Sequence, residues 1–191
     1  MNLKTFLLLA AILALFILVS CKSGGDDDSS GDDGGVDNPM GELWTDSTTG
    51  LMWQNGEAVG VTDYNWADAK NYCAGLSWGD YGDWRLPTIS ELRSLIRGCP
   101  EEMTGGACRV TDSCLDSSCS CFDSSCQDGT CGGCDSGNEA YWPDDLSGKV
   151  SWYWSSSPVA DLAGCAWVIG FESGHFYALD FGDDYYARCV R

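Results

Sequence analysis

Twelve of the 191 residues are cysteine and only one is histidine, so whatever chemistry the chain carries is sulfur chemistry before it is imidazole chemistry. Cysteine can staple a chain, ligate a soft metal as thiolate, or act as a redox pair. Eight of the twelve lie close together, at Cys99, Cys108, Cys114, Cys119, Cys121, Cys126, Cys131 and Cys134. Within them Cys114-Leu115-Asp116-Ser117-Ser118-Cys119-Ser120 is repeated as Cys121-Phe122-Asp123-Ser124-Ser125-Cys126-Gln127. Cys131-Gly132-Gly133-Cys134 has the C-x-x-C spacing of a zinc half-site or a redox pair. The other spacings are irregular, and a segment without apolar periodicity needs covalent staples, so the stretch from about 99 to 137 reads as a disulfide-held insertion. Its connectivity is not readable. Cys21, Cys73, Cys165 and Cys189 lie outside it. A Cys73–Cys189 bridge would close a very long loop, worth at most about 4–5 kcal/mol on the chain-entropy account. Setting Cys21 aside leaves eleven, an odd number, so one thiol is free or pairs between chains; Cys165 could reach into the insertion.

The oxygen chemistry is sparser. Asp180, Asp183 and Asp184 cluster between two β-rich runs, and oxygen ligands suit calcium. Such a cluster is more often a solvated turn between strands, so the sequence raises calcium here but no cofactor is expected. A single histidine excludes sites that need several imidazoles, and His175, beside a hairpin turn, is expected to be an exposed strand residue rather than a base. With 29 acidic against 10 basic residues the formal net charge is -19, the opposite of a nucleic-acid footprint and unsuited to an anionic membrane surface. The tyrosines and tryptophans could stack on sugar rings, though Trp84, Trp154 and Trp167 are expected in the core.

The elements that must position these residues begin after an address. Lys4 precedes an uninterrupted apolar run of 14 residues from Phe6 to Val19, short of the roughly 20 that span a bilayer. The run ends in Leu18-Val19-Ser20-Cys21, which resembles the bacterial lipobox. That resemblance implies a signal peptide over 1–20, with Cys21 acylated and left as the mature N-terminus, held in the membrane through its acyl chains. Residues 21–40 then form a tether rich in Asp, Gly and Ser that cannot recover the entropy of ordering. Lys22 rather than Asp after the cysteine favours the outer membrane, and an acidic stretch in this place resembles a surface-export signal as well as a plain spacer.

From Gly41 to Arg191 the composition is that of a folded domain. Leu43–Asp46 and Leu51–Gln54 read as strands around a turn. A helix is expected from Asn65 to Ala74, with Asn65 as N-cap and Trp66, Ala69, Cys73 and Leu76 at helical spacing. Thr88 and Glu91 form a capping box for a second helix whose apolar face is Ile89, Leu92, Leu95 and Ile96, stopped at Gly98. Tyr153–Ser157, Ala166–Phe171, His175–Phe181 and Tyr185–Val190 read as strands, with Glu172-Ser173-Gly174 as a hairpin turn. Strands, two helices, then strands is an α+β order. The insertion is expected to project from the sheet without joining the core, so that replacing residues 100–136 with a short link would leave a folded domain.

Trp44-Thr45-Asp46, Gly50-Leu51-Met52-Trp53, Trp66-Ala67-Asp68-Ala69, Tyr72-Cys73, Trp84-Arg85-Leu86-Pro87-Thr88, Glu91-Leu92, Tyr153-Trp154-Ser155-Ser156, Ala166-Trp167 and Arg188-Cys189-Val190-Arg191 occur in order. Together they resemble the Lcl C-terminal domain family, named for a bacterial collagen-like adhesin. The resemblance implies a C-type-lectin-like fold with two helices, a twisted antiparallel sheet, adjacent terminal strands and a Cys73–Cys189 bridge. It also implies a binding or adhesive module for a glycan or a surface protein, on an outer-membrane lipoprotein that is periplasmic or surface-exposed. In the adhesin the domain is similar to a head that binds sulfated polysaccharide; the acidity here repels such a chain unless Arg85, Arg93 and Arg97 cluster, and a solvated helix face is their expected place. The calcium-lectin triplets are absent. The alternatives are a structural envelope protein without a ligand, or a thiol-dependent enzyme like the sulfatase-activating oxidases, which would need Cys165 and a partner thiol; the chain is expected not to be an enzyme.

Overall fold

The computed structural model describes residues 42–56, 59–120, 131–134 and 140–191. The expectations for Cys21, the signal peptide and tether, Cys121 and Cys126 lie outside the described residues. Among the described residues no helix is long and apolar enough to cross a membrane.

β1 (Leu43–Thr45) and β2 (Met52–Gln54) form an antiparallel hairpin. Asp46 builds its turn, accepting the Thr48 N–H at 2.9 Å, while Gly50 supplies the positive φ of 74° that closes it. β3 (Asp63–Tyr64), which has no clear sequence signal, leads into α1 (Trp66–Gly75). The Asn65 side chain caps α1 as expected, accepting from the Asp68 N–H at 3.0 Å. Both halves of the Thr88–Glu91 capping box are present on α2 (Ile89–Arg93). This helix is shorter than its apolar spacing suggests. Ser94 Oγ donates to the Glu91 carbonyl at 2.6 Å and Arg97 to the Ser94 carbonyl at 2.6 Å, and the side chains satisfy the chain end as it turns away.

A five-stranded sheet carries the rest, in the order β3–β7–β4–β5–β6, with β4 (Trp152–Pro158), β5 (Cys165–Gly170), β6 (His175–Asp180) and β7 (Tyr185–Tyr186). All its pairings are antiparallel except β4–β7, which is parallel through Tyr153 and Tyr186, so the sheet is mixed. The architecture is α+β. Both faces are covered. Tyr153, Trp167, Ile169 and Phe176 pack on the α2 side, while Trp154, Ala166, Val168 and Leu179 pack on the α1 side. This is why Cys165–Gly170 is buried at every position and reads as an apolar run rather than an alternation. Trp84, Trp154 and Trp167 are core residues.

The chain ends run together. Met52 and Arg191 exchange N–H···O bonds at 3.0 and 2.9 Å, the Gln54 N–H reaches the Cys189 carbonyl at 2.9 Å, and Val190 pairs with Arg85. A disulfide joins Cys73 of α1 to Cys189, 116 residues apart. Further disulfides join Cys99 to Cys134, Cys108 to Cys131, and Cys114 to Cys119 within a short 3₁₀ segment's reach (Ser117–Cys119). Cys165 is also disulfide-bonded.

Two expectations are corrected. The described part of the insertion does not project from the domain. Cys99, Cys108, Val110, Cys119 and Cys131 belong to the same core cluster as Ile89, Leu92 and Trp167. The reason is Arg93, expected on a solvated face but only 3% exposed. Its guanidinium donates to the carbonyls of Glu102 at 2.7 Å, Met103 at 2.8 Å and Val110 at 3.0 Å, drawing the first half of the insertion onto α2. A segment without apolar periodicity thus enters the core through one cation and its disulfides. Replacing residues 100–136 with a Gly-Ser link, with Cys99→Ser, is therefore expected to abolish cooperative thermal unfolding. Buried side chains such as Val110 contribute about 1.5–3 kcal/mol each, and Arg93 would lose its acceptors. A melting temperature near that of the intact protein would contradict this.

Candidate functional site

A groove of about 550 Å³ opens between the two helices, lined by Lys70, Asn71 and Ala74 of α1, Arg85, Leu86 and Thr88 before α2, Glu91 of α2, and Ser156 of β4. Its walls are fixed from behind. The Trp66 indole donates to the Ser155 carbonyl at 2.8 Å, Cys73 ties α1 to Cys189 in the segment after β7, and the Ser156 N–H donates to the Pro87 carbonyl at 2.7 Å. Arg85 holds both Glu91 oxygens at 2.6 Å, a bidentate pair that leaves the acid neutralised. Burial pushes the Glu91 carboxyl up, but Arg85 and the Thr88 N–H outweigh it and hold the group below its usual range. Lys70 Nζ stands 4.2 Å above the Trp66 ring. The lining thus carries one compensated ion pair and one further cation, on a chain of net charge -19. Around the apolar Ala74 and Leu86 stand amide, hydroxyl and ammonium groups, a lining suited to binding a polyhydroxylated or mixed-polarity ligand.

A second cluster lies on the sheet. Trp152 stacks on Tyr177 with ring centroids 4.3 Å apart and on Tyr185 at 5.7 Å. All three rings are half-buried. Their faces are spent on one another, as are those of the Trp66–Phe181 and Tyr64–Tyr72 pairs, so these rings roof the sheet rather than offer stacking faces. Half-buried Glu172 stands in the β5–β6 turn, and burial raises its carboxyl pKa. A Cβ on Gly170 would stand 2.6 Å from Glu172 Oε1, so glycine leaves the carboxylate its place. His175 is half-buried, not exposed as expected. Its Nδ1 lies 3.1 Å from the Tyr177 hydroxyl, and burial lowers its pKa.

The remaining sequence candidates sort as follows. Asp180 and Asp184 are exposed, and the Gly182 N–H donates to Asp180 Oδ1 at 2.8 Å. Burial, then Asp180 and Asp184, raise the pKa of half-buried Asp183. Among the described residues, the acidic, histidine and cysteine groups whose ligand atoms gather within 4.8 Å are Cys99, Glu101 and Cys134, and Glu102, Cys108 and Cys131. Neither set includes the three aspartates. The sulfurs of both sets are tied up as disulfides, which leaves them no thiolate for a metal, and Cys131 and Cys134 belong to different bridges. Cys165 is 2% exposed and disulfide-bonded, so it is no surface thiol. Arg85 reaches the groove, but buried Arg93 and half-buried Arg97 are spent on backbone carbonyls, so the three arginines form no basic patch.

Besides Arg93, sequence reasoning missed two buried ionisable groups. Arg188, 0% exposed, donates to the carbonyls of Gln54 at 2.8 Å and Ser147 at 2.7 Å. Burial pushes its pKa down to about 10 and that of the adjacent Tyr153 up to about 12. Glu102 is the other. Their only sequence signal was their setting, Arg188 in the closing motif and Glu102 beside a run of cysteines.

Residues 42–191 match the family model of the Lcl C-terminal domain, and the chain belongs to that family. No curated protein matches it. The family is that of a surface-associated module.

The roof over the sheet gives a direct check. Gly170→Ala is expected to displace the Glu172 carboxylate from its half-buried place and lower stability by at most about 1 kcal/mol, with a change in near-ultraviolet circular dichroism. A variant that unfolds in urea like the wild type, with the same spectrum, would contradict the assignment.

Proposed function

We propose that the chain is a non-catalytic binding module of the bacterial cell envelope, carried on lipid at Cys21 in the outer membrane and set off from it by the acidic tether. Residues 42–191 form its C-type-lectin-like head, and the groove between α1 and α2 receives a glycan. Family membership and the α+β frame with adjacent chain ends support the lectin-like reading. The observation that carries the ligand site is the groove lining, where Asn71, Thr88, Ser156 and Lys70 surround Ala74 and Leu86. Its local charge is small and the protein around it is strongly negative, so the ligand is a neutral or sparsely charged sugar rather than a sulfated chain.

The test is a glycan array probed with the wild-type protein and with Lys70→Ala/Asn71→Ala. Both positions are exposed, so the melting temperature is expected to stay within a degree or so of the wild type while binding falls about tenfold or more. Undiminished binding by the variant, or preferential capture of heavily sulfated glycans, would overturn the reading.

A further inference from the structure

Glu102 is 0% exposed, and its two oxygens are treated differently by their surroundings. Oε1 accepts the Gly133 N–H at 2.9 Å. Oε2 is buried without a hydrogen-bond partner. An ionised carboxylate shares its charge with that orphan oxygen, whereas a neutral carboxyl asks far less of it. We propose that Glu102 is a proton-operated clasp: neutral, it lets residues 131–134 close over it against the β5–β6 hairpin, and on ionising it strains that closed packing, because the charge shared by the buried Oε2 has no donor there even though the Gly133 N–H bond favours the ionised form.

The clasped segment has close partners. Cys134 N–H donates to the Ser173 carbonyl at 2.7 Å, and Phe176 N–H reaches the Cys131 carbonyl at 3.5 Å. At Gly133, with φ 73°, an added Cβ would meet the Ser173 carbonyl at 2.7 Å and the His175 ring at 3.2 Å. On the other side a Cβ at Gly174 would stand 3.7 Å from Glu102 Cγ and 3.3 Å from Cys99 Sγ. The segment is tethered by Cys99–Cys134 and Cys108–Cys131, so ionisation strains it without freeing it.

Two charged groups, Arg93 and Glu101, act on this carboxyl, and a titratable one lies against the segment over it. Arg93 on α2 favours ionisation, but its guanidinium is committed to three carbonyls. Glu101 opposes ionisation. His175 packs on Gly133 from β6. Burial dominates and raises the Glu102 pKa from 4.5 to about 7. A raised carboxyl pKa means the folded state binds the proton more tightly than the unfolded chain. The stabilisation is complete at pH values below 4.5 and is lost as pH rises through about 7. His175, whose pKa burial lowers, acts in the opposite sense, and Glu172 in the same sense. A comparison with Glu102→Gln, which keeps the shape of the neutral acid, cancels both.

The test is urea unfolding of the full chain in mild detergent, with disulfides intact, at roughly pH 5.5 to 8.5. The ratio of wild-type to Glu102→Gln folding constants is expected to fall about thirtyfold across that range. A ratio constant within about twofold overturns the proposal. Should the variant not fold, carbon-13 NMR of the wild-type Glu102 carboxyl decides: a midpoint near neutrality supports the clasp, and one in the usual carboxylate range overturns it.

Discussion

Arg188 is a cation shut away from water, and the rest of the domain is ordered around the two carbonyls that its Nη1 and Nη2 hold, while its Nε is buried without a partner. A buried charge that loses its partners costs several kcal/mol, so the groups it binds are held in place as firmly as it is. It binds the Gln54 carbonyl in β2 and the Ser147 carbonyl in the loop before β4. It lies over the Trp142 ring at 4.7 Å and the Tyr153 ring at 5.6 Å. At Gly148 a Cβ would meet Arg188 Nη2 at 2.6 Å, and the φ of 133° there favours glycine as well. The residue after Arg188 is Cys189, bonded to α1; the next is Val190, paired with Arg85 and Trp53. Four consecutive residues at the chain's end thus join the hairpin, the first helix, the approach to α2 and the central sheet. The groove lies where α1, α2 and β4 meet, so its shape depends on that same tie.

Much of this frame was legible because it obeys local rules. The N-cap at Asn65 and the capping box at Thr88 follow from side chains that satisfy their own backbone. The apolar run of β5 announces a strand buried on both faces. What stayed hidden was non-local. β3 is two residues long and exists because Tyr64 and Asp63 pair with β7 more than 100 residues later. The parallel β4–β7 contact has no signature in either strand. The insertion read as a separate lobe because periodicity detects helices and strands, not a loop drawn inward by a distant arginine.

The site was legible in chemical type and obscure in place. Sulfur chemistry was apparent from composition, yet the C-x-x-C pair is split between two bridges, since Cys131 and Cys134 answer partners on different sides of Glu102. The aromatic residues suggested stacking surfaces, but Trp152, Tyr177 and Tyr185 stack on each other. The groove draws on α1, the approach to α2, α2 itself and β4, and although Arg85, Thr88, Glu91 and Ser156 lie in recognisable motifs, only the fold brings Lys70 and Ser156 to one lining. Its modest positive character in a protein of net charge -19 sets it apart from the surrounding surface.

The central claim is that the segment Arg188–Arg191, after β7, ties the domain into one cooperative unit. Native-state hydrogen exchange tests it most directly at the amides of Met52, Gln54, Arg85 and Val190, whose acceptors are Arg191, Cys189, Val190 and Arg85. All four are expected to exchange only through global unfolding, with one shared free energy and one shared denaturant dependence. If any of them opened locally while the β4–β5 amides stayed protected, the tie through Arg188 and Cys189 would not be what holds the domain together.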